Sequence, residues 1–261
     1  MLELENTRDL LVEMGLKSAA QLLDAHLEET AKGQITYLSF LFGLLDVEKQ
    51  ERKRRNEEMR IKLSRLPHRK TLEEFDFSFQ PTIDIRQIKE LSTLAFVARS
   101  ENVILLGPPG VGKTHIAVGL SMQALRAELS VYYVTLPQLI ADLEKAMQIG
   151  KLERKLKTCT RPDILVIDEV GYMQLNRHAA EMLFQLICLR YEKGSIVLTS
   201  NKFFTDWGEL MSDTVIATAM LDRLLHHGHV INIRGETYRL KDRAKAGFTT
   251  TPPANIQLTA P

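Results

Sequence analysis

Gly107–Thr114 reads GPPGVGKT, directly after the apolar run NVILL and directly before the helical pattern HIAVGLSMQAL. This is G-x-x-x-x-G-K-T in the order strand, loop, helix, a spacing with a physical reason to hold phosphate. Gly107, Gly110 and Gly112 let the backbone N–H groups of a loop that also contains Pro108, Pro109 and Val111 converge on phosphate oxygens at the positive end of a helix. Lys113 can then reach the β- and γ-phosphates, and Thr114 can offer its hydroxyl to Mg2+. Further along, DILVIDEV ends an apolar strand on Asp168 and Glu169. A nucleotide site of this kind needs one acid for the metal shell and a second to polarise the attacking water, and the two residues are assigned those roles in that order. Thr199, Ser200 and Asn201 end the next apolar run, where an amide could hold the water or the γ-phosphate, or simply cap a turn.

Arg223 lies in AMLDRLLHHGHV, beside Asp222. It either pairs with a neighbour or is delivered to the nucleotide of the next subunit, which would demand an oligomer. His115, His178, His226, His227 and His229 have no carboxylate or cysteine partners at metal-ligand spacing, so each reads as a packing or surface residue. Cys159 and Cys188 are too few for a disulfide framework and read as reduced thiols.

The elements that must position this chemistry follow from hydrophobic pattern. From about residue 82, short β-rich runs alternate with helical stretches: NVILLG (102–107), VYYVT (131–135), DILVID (163–168), SIVLTSN (195–201) and HVINI (229–233). Nearly continuous apolar runs suit a parallel sheet covered on both faces, so the expected fold is α/β with a five-stranded parallel sheet. Residues 1–66 hold no proline, and Leu10, Leu11, Met14, then Leu22, Leu23, His26, Leu27 recur at helical spacing. Two short helices, closed by Gly33, are expected ahead of a third that Thr36 caps and Pro67 ends. The domains expected are a small all-α domain over 1–66, a linker over 67–81 whose Phe75, Phe77 and Phe79 dock on the next domain, an ATPase domain over 82–243 and a disordered tail over 244–261.

The chain has 261 residues, 44% of them hydrophobic and 26% charged, which excludes wholesale disorder and collagen-like sequence. An acidic N-terminus and the lack of an apolar run near the ~18–20 residues that span a bilayer predict a cytoplasmic protein without a membrane partner. Net charge is only +1, but its distribution is lopsided: residues 1–48 carry −6, and residues 49–70 carry +7. Lys49, Arg52, Lys53, Arg54, Arg55 and Arg60 fall on the third helix, with Arg52 and Lys53 on one side beside Asn56 and Arg60, and Arg54 and Arg55 widening the positive surface. Such an arc would meet the phosphates of double-stranded DNA with little reading of bases. The stretch from Pro137 to Arg161 is also basic, with Lys151, Arg154 and Lys155, and is either a second DNA surface or a solvated helix face.

The ordered set GPPGVGKTH, ILVIDEVGY, LFQLICLRYE, IVLTSN, MLDRLLHHG and TYRL resembles the IstB family of transposition helper ATPases, in the DnaC-like branch of AAA+ proteins. It spans roughly residues 70–240, and the helical region before it is similar to that family's DNA-binding domain. The resemblance implies an AAA+ fold, ATP as the nucleotide with His115 counted in its loop, Asn201 as sensor 1, Arg223 as a trans-acting arginine and Arg239 as the basic residue of a SYR-type motif, here TYR. Only 22 residues follow Arg239, so a reduced or absent C-terminal lid is expected. The function implied is an ATPase that forms a ring or spiral of identical subunits on target DNA, remodels it and stimulates a transposase. A DnaC-like helicase loader and an ATP-gated scaffold with little hydrolysis are the alternatives, and a P-loop kinase is a more distant one.

Overall fold

The computed structural model describes residues 2–33 and 35–238 and divides into two compact units, Met1–Lys62 and Leu63–Pro261. Arg239, the tail and any lid lie outside the described residues.

The first unit is helical: α1 (Leu2–Glu13), α2 (Lys17–Ala31) and most of α3 (Tyr37–Ser64). Ala19, Leu23 and Leu44 form its small core, with Leu11, Leu22 and Phe40 packed around them. The Thr36 hydroxyl accepts from Ser39 N at 3.2 Å and so caps the start of α3. Glu48, on α3, is buried and accepts from Ser18 N at 2.7 Å and Ala19 N at 3.3 Å, satisfying amides in the first turn of α2. Burial alone would raise its pKa, but those amides and the Arg55 guanidinium at 2.6 Å hold it below the ordinary value. α3 stops at Arg65, whose φ of 63° leaves the helical region two residues ahead of Pro67.

The second unit runs α4 (Ile85–Ser92), α5 (Ala95–Ala98), β1 (Asn102–Leu106), α6 (Lys113–Arg126), β2 (Val131–Thr135), α7 (Leu136–Gln148), α8 (Leu152–Thr160) and β3 (Ile164–Val170). It continues through α9 (Arg177–Arg190), β4 (Ser195–Ser200), α10 (Trp207–Leu210), α11 (Thr214–His226) and β5 (Gly228–Asn232). All five strands pair in parallel, as the apolar runs predicted, and their order is β2-β3-β4-β1-β5. Ile104, Tyr132, Val134, Leu165, Ile167 and Leu198 share one core with α7, α8, α9 and α11. Alternation sends Val103, Leu105, Tyr133, Val166 and Val197 to the other face, which α6 covers.

Arg190 fastens the far end of the sheet. Its buried guanidinium donates to the carbonyls of Cys159, Pro162, Asp163 and Ser195 at 2.8–3.0 Å, and burial pulls its pKa down to about 10, still charged at neutral pH. The segment expected as a linker lies within the second unit, where Thr82 and Arg234 exchange hydrogen bonds of 2.7 and 3.0 Å. No described helix is long and apolar enough to cross a membrane.

Candidate functional site

The tips of β1, β4 and β3 lie side by side, and β4 separates the other two. β1 runs into the glycine-rich loop, and Gly112, with φ of 97°, is the N-cap of α6. A side chain there would also overlap the ring of Phe75, so glycine is required twice over. Lys113 is 8% exposed and donates to the carbonyls of Gly107 at 2.6 Å and Pro108 at 2.7 Å. The Thr114 hydroxyl lies 3.0 and 3.1 Å from the two carboxylate oxygens of Asp168.

Asp168, 2% exposed, gathers further hydroxyls: Tyr133, in the middle of β2, donates to it at 2.5 Å, and Thr199, next to the end of β4, donates to its other oxygen. Burial and this bond to a carboxylate push the Tyr133 phenol far above its ordinary pKa, so it stays a donor. A buried carboxylate beside a threonine hydroxyl is a hard-oxygen donor set, which fits Mg2+.

Glu169 follows Asp168 in the same strand, and regular pleating would send it to the opposite face. The pairing slips at that point. Ile167 is opposite Leu198, but Val170 is opposite Ser200, so β3 carries one extra residue. Glu169 absorbs it with φ of 64°, at a cost of order 1 kcal/mol, and its N–H bonds the Thr199 hydroxyl at 3.1 Å. Asp168 and Glu169 therefore both line one cavity, of about 530 Å³, together with Gly110, Lys113, Thr114, Tyr133 and Thr199.

Pro67, His68, Lys70, Glu74, Phe75, Asp76, Gln80, Tyr172, His115 and Tyr238, with Val111 and Gly112 of the loop, supply the rest of the lining. His115 Nε2 is 2.8 Å from Thr71 O, and its ring meets that of Phe75 edge-on at 5.2 Å. Gln80 donates to Glu236 O at 2.9 Å, Tyr238 N to Gly110 O at 2.9 Å, and Phe79 packs edge-on against Tyr238 at 5.2 Å. Burial holds the pKa values of His68 and His115 below the ordinary histidine value. Sequence reasoning counted His115 in the loop and expected Phe75 to dock on this domain, but it missed Tyr133, Thr199 as a partner of Asp168, and the part that residues 67–80 play in lining the cavity. A hydroxyl-bearing residue in each strand flanking β3 was the available signal.

Asn201 stands just past β4 with its amide against Gly171, and it does not line the cavity. Arg223, on α11, donates to Ala219 O at 2.9 Å and lies over the Phe184 ring at 5.0 Å, also outside the cavity. On α3, Lys49, Arg52 and Lys53 are exposed, Arg54 is paired with Glu51 at 2.8 Å, Arg55 is tied to Glu48, and Arg60 is half-buried. Lys151 and Arg154 are exposed, whereas Lys155 turns inward to Asp142 at 2.5 Å and to Tyr132, so the basic face of α8 is narrower than its composition implies. The histidines correct the sequence reading: His229 bonds Glu101 at 2.8 Å, and His227 lies 3.5 Å from Glu192. Those carboxylates come from remote segments that sequence spacing could not reveal. Hydrogen bonds from Arg99 and His229 hold the Glu101 pKa down at about 2.

A phosphate-binding loop at one strand tip, a buried carboxylate at another and a parallel sheet between helices define a P-loop nucleotide-binding protein. The sequence profile of IstB-like ATP binding proteins matches residues 9–246. Over 241 residues the chain is 50% identical to a Pseudomonas aeruginosa protein named for ATP binding in insertion sequence IS21, covering 92% of this chain and 91% of that one. It is 48% identical over 224 residues to the ATP-binding protein of insertion sequence IS5376 from Geobacillus stearothermophilus, covering 86% and 89%. The chain belongs to the IstB-like ATP-binding family of insertion sequences. Among solved structures it is similar to DnaI (TM-score 0.54, 20% identity, 63% of this chain and 91% of that one). It is also similar to the replication initiator DnaA bound to AMPPCP and single-stranded DNA (TM-score 0.53, 17% identity, 72% and 58%). Both likenesses concern the fold, which is that of the AAA+ proteins.

Proposed function

We propose that the chain hydrolyses ATP with Mg2+, assembles as a ring or spiral of identical subunits on double-stranded DNA and stimulates the transposase of its insertion sequence. The observation that carries the hydrolytic part is the bulge in β3, which turns two successive acids into one cavity beside the phosphate loop. A protein that only bound nucleotide would have no use for the strained Glu169. In this reading Lys113 exchanges its two loop carbonyls for the β- and γ-phosphates. Thr114 and Asp168 hold Mg2+, which when bound neutralises phosphate charge. Glu169 orients water and takes up its proton. Asn201, one residue past β4, steadies that region; Arg223, outside its own cavity, serves the nucleotide of the next subunit.

The DNA part rests on α3. Lys49, Arg52 and Lys53 stand at i, i+3 and i+4, one exposed face of positive charge suited to phosphates rather than bases. The names of the relatives, which place them in insertion sequences, support a transposase as partner. Glu169→Gln is the test of hydrolysis: ATP should still bind, while turnover falls by about 100-fold or more. Turnover at the wild-type rate would remove Glu169 from the role. For DNA, replacing Lys49, Arg52 and Lys53 with alanine should flatten the salt dependence of duplex binding by roughly two to three log units per log unit of salt. An unchanged slope would move the DNA surface to Lys151 and Arg154.

A further inference from the structure

The turn after α9 and the end of α11 bring together three exposed donors: the Glu192 carboxylate and the imidazoles of His226 and His227. One ring nitrogen of each histidine and one carboxylate oxygen all lie within 4.8 Å of one another. His227 Nε2 is 3.5 Å from Glu192 Oε1. Two ligands on a tetrahedral ion with bonds of ~2.0–2.1 Å stand about 3.3 Å apart, so this edge is already close to ligating separation. Exposed side chains at a helix end have the freedom to close the remaining distance.

A second observation concerns orientation. His226 Nδ1 is 2.7 Å from the Tyr191 hydroxyl, which also bonds Glu192. With Nδ1–H donating to the phenol oxygen and the phenol donating to the carboxylate, Nε2 of His226 is left with its lone pair. Metal-binding histidines are commonly held by such a bond to the other ring nitrogen.

We propose that Glu192, His226 and His227 form a binding site for a zinc-class transition-metal ion, with Tyr191 positioning His226 and water completing the coordination. Two imidazoles and one carboxylate favour Zn2+ over Mg2+, which prefers oxygen. None of these residues lines the nucleotide cavity. The ion joins the end of α9 to the end of α11, and those helices hold Arg223 over Phe184. Metal binding itself is independent of the ATPase reading.

The test is calorimetric titration of the untagged full chain with Zn2+ alone, with and without excess Mg2+, and a Co2+ titration followed by its visible absorption. One ion per chain is expected, undisturbed by Mg2+, with tetrahedral Co2+ bands. Glu192→Gln and His227→Ala should each weaken binding by more than tenfold, and Tyr191→Phe by about tenfold. Glu192 and His227 are exposed and Tyr191 is half-buried, and circular dichroism confirms that each variant is folded. Absence of zinc uptake, displacement by Mg2+, or affinity unchanged in both ligand variants would overturn the proposal.

Discussion

On one side of the nucleotide cavity, Lys113, Thr114, Asp168 and Thr199 stand at strand tips and a helix start, held by sheet pairing and by a cluster of hydroxyls around one carboxylate. On the other side, residues 67–80 and Tyr238 follow no ladder and are held by scattered bonds to loops: His115 to Thr71, Gln80 to Glu236, Tyr238 to Gly110. The first wall is charged and fixed, as charge stabilisation requires, since donors already in place cost no reorganisation during reaction. The second sets the rings of Phe75, Tyr172 and Tyr238 among histidines and the charged Lys70, Glu74 and Asp76, rings and polar tips suited to enclosing the base and sugar of a nucleotide. Substitutions in the first wall should therefore abolish function, and those in the second should grade it.

Lys113→Ala should have the largest effect. The lysine lies under the loop with its ammonium on two carbonyls, and no other cation of that wall can replace it. Charge-assisted bonds are worth roughly 1.5–3 kcal/mol each, so affinity for ATP should drop by about two decades or more in equilibrium binding. ATP affinity within a fewfold of wild type would show that the loop amides alone hold the phosphates. Tyr133→Phe comes next. Removing its hydroxyl leaves Asp168 without one of its fixing bonds, and the Mg2+ concentration for half-maximal turnover should rise about tenfold. Metal-free ATP binding should stay as it was, and a change there instead would make Tyr133 a packing residue.

The same contrast explains what the sequence revealed. GPPGVGKT, the five apolar runs and the acidic strand end are local signals, because buried parallel strands and phosphate loops write their requirements into consecutive residues. The bulge is not local. Whether Glu169 shares a face with Asp168 depends on how β3 registers with β4, and the dipeptide alone does not encode that slip. Tyr132 and Tyr133 look alike in VYYVT, yet one joins the core under α7 and α8 and the other reaches Asp168. Residues 67–81 lack any period and read as a linker, although they form a wall of the cavity through partners more than a hundred residues away, such as Glu236. On α3, composition overstated the free charge: Glu51 and Glu48, three and seven residues before Arg54 and Arg55, share their faces and engage them.

Phe75→Ala probes the second wall directly. Phe75 covers Gly112 and packs edge-on against His115, so its loss opens the cavity without touching the carboxylates. Uncovering some 40 Å² of apolar contact is worth about 1 kcal/mol, which predicts a KM for ATP raised about fivefold with kcat within twofold of wild type. A loss confined to kcat would mean that this wall aligns the phosphates, and the contrast between the two walls would collapse.

The smallest effect should come from protons at His115. Desolvation sets its pKa below the ordinary value of 6.5, the Thr71 carbonyl opposes that shift, and Lys70 and Glu74 act as lesser charges of opposite sign. His68, whose ring lies 6.5 Å away, is also depressed by burial and by Lys70. For a base whose folded pKa is depressed, the unfolded chain takes up its proton first as pH falls. The stability contribution is therefore complete above about pH 6.5 and is lost as pH drops from there through the folded value, unlike a carboxylate pair, whose loss waits for more acid conditions. Replacing His115 with glutamine, which keeps a donor for Thr71 but cannot titrate, should flatten the decline of melting temperature between pH 7 and pH 5. The difference should be no more than the ~2–4 °C that 1 kcal/mol produces in a domain of this size. Parallel melting curves for wild type and His115→Gln across that range would place the proton uptake elsewhere in this wall, at His68.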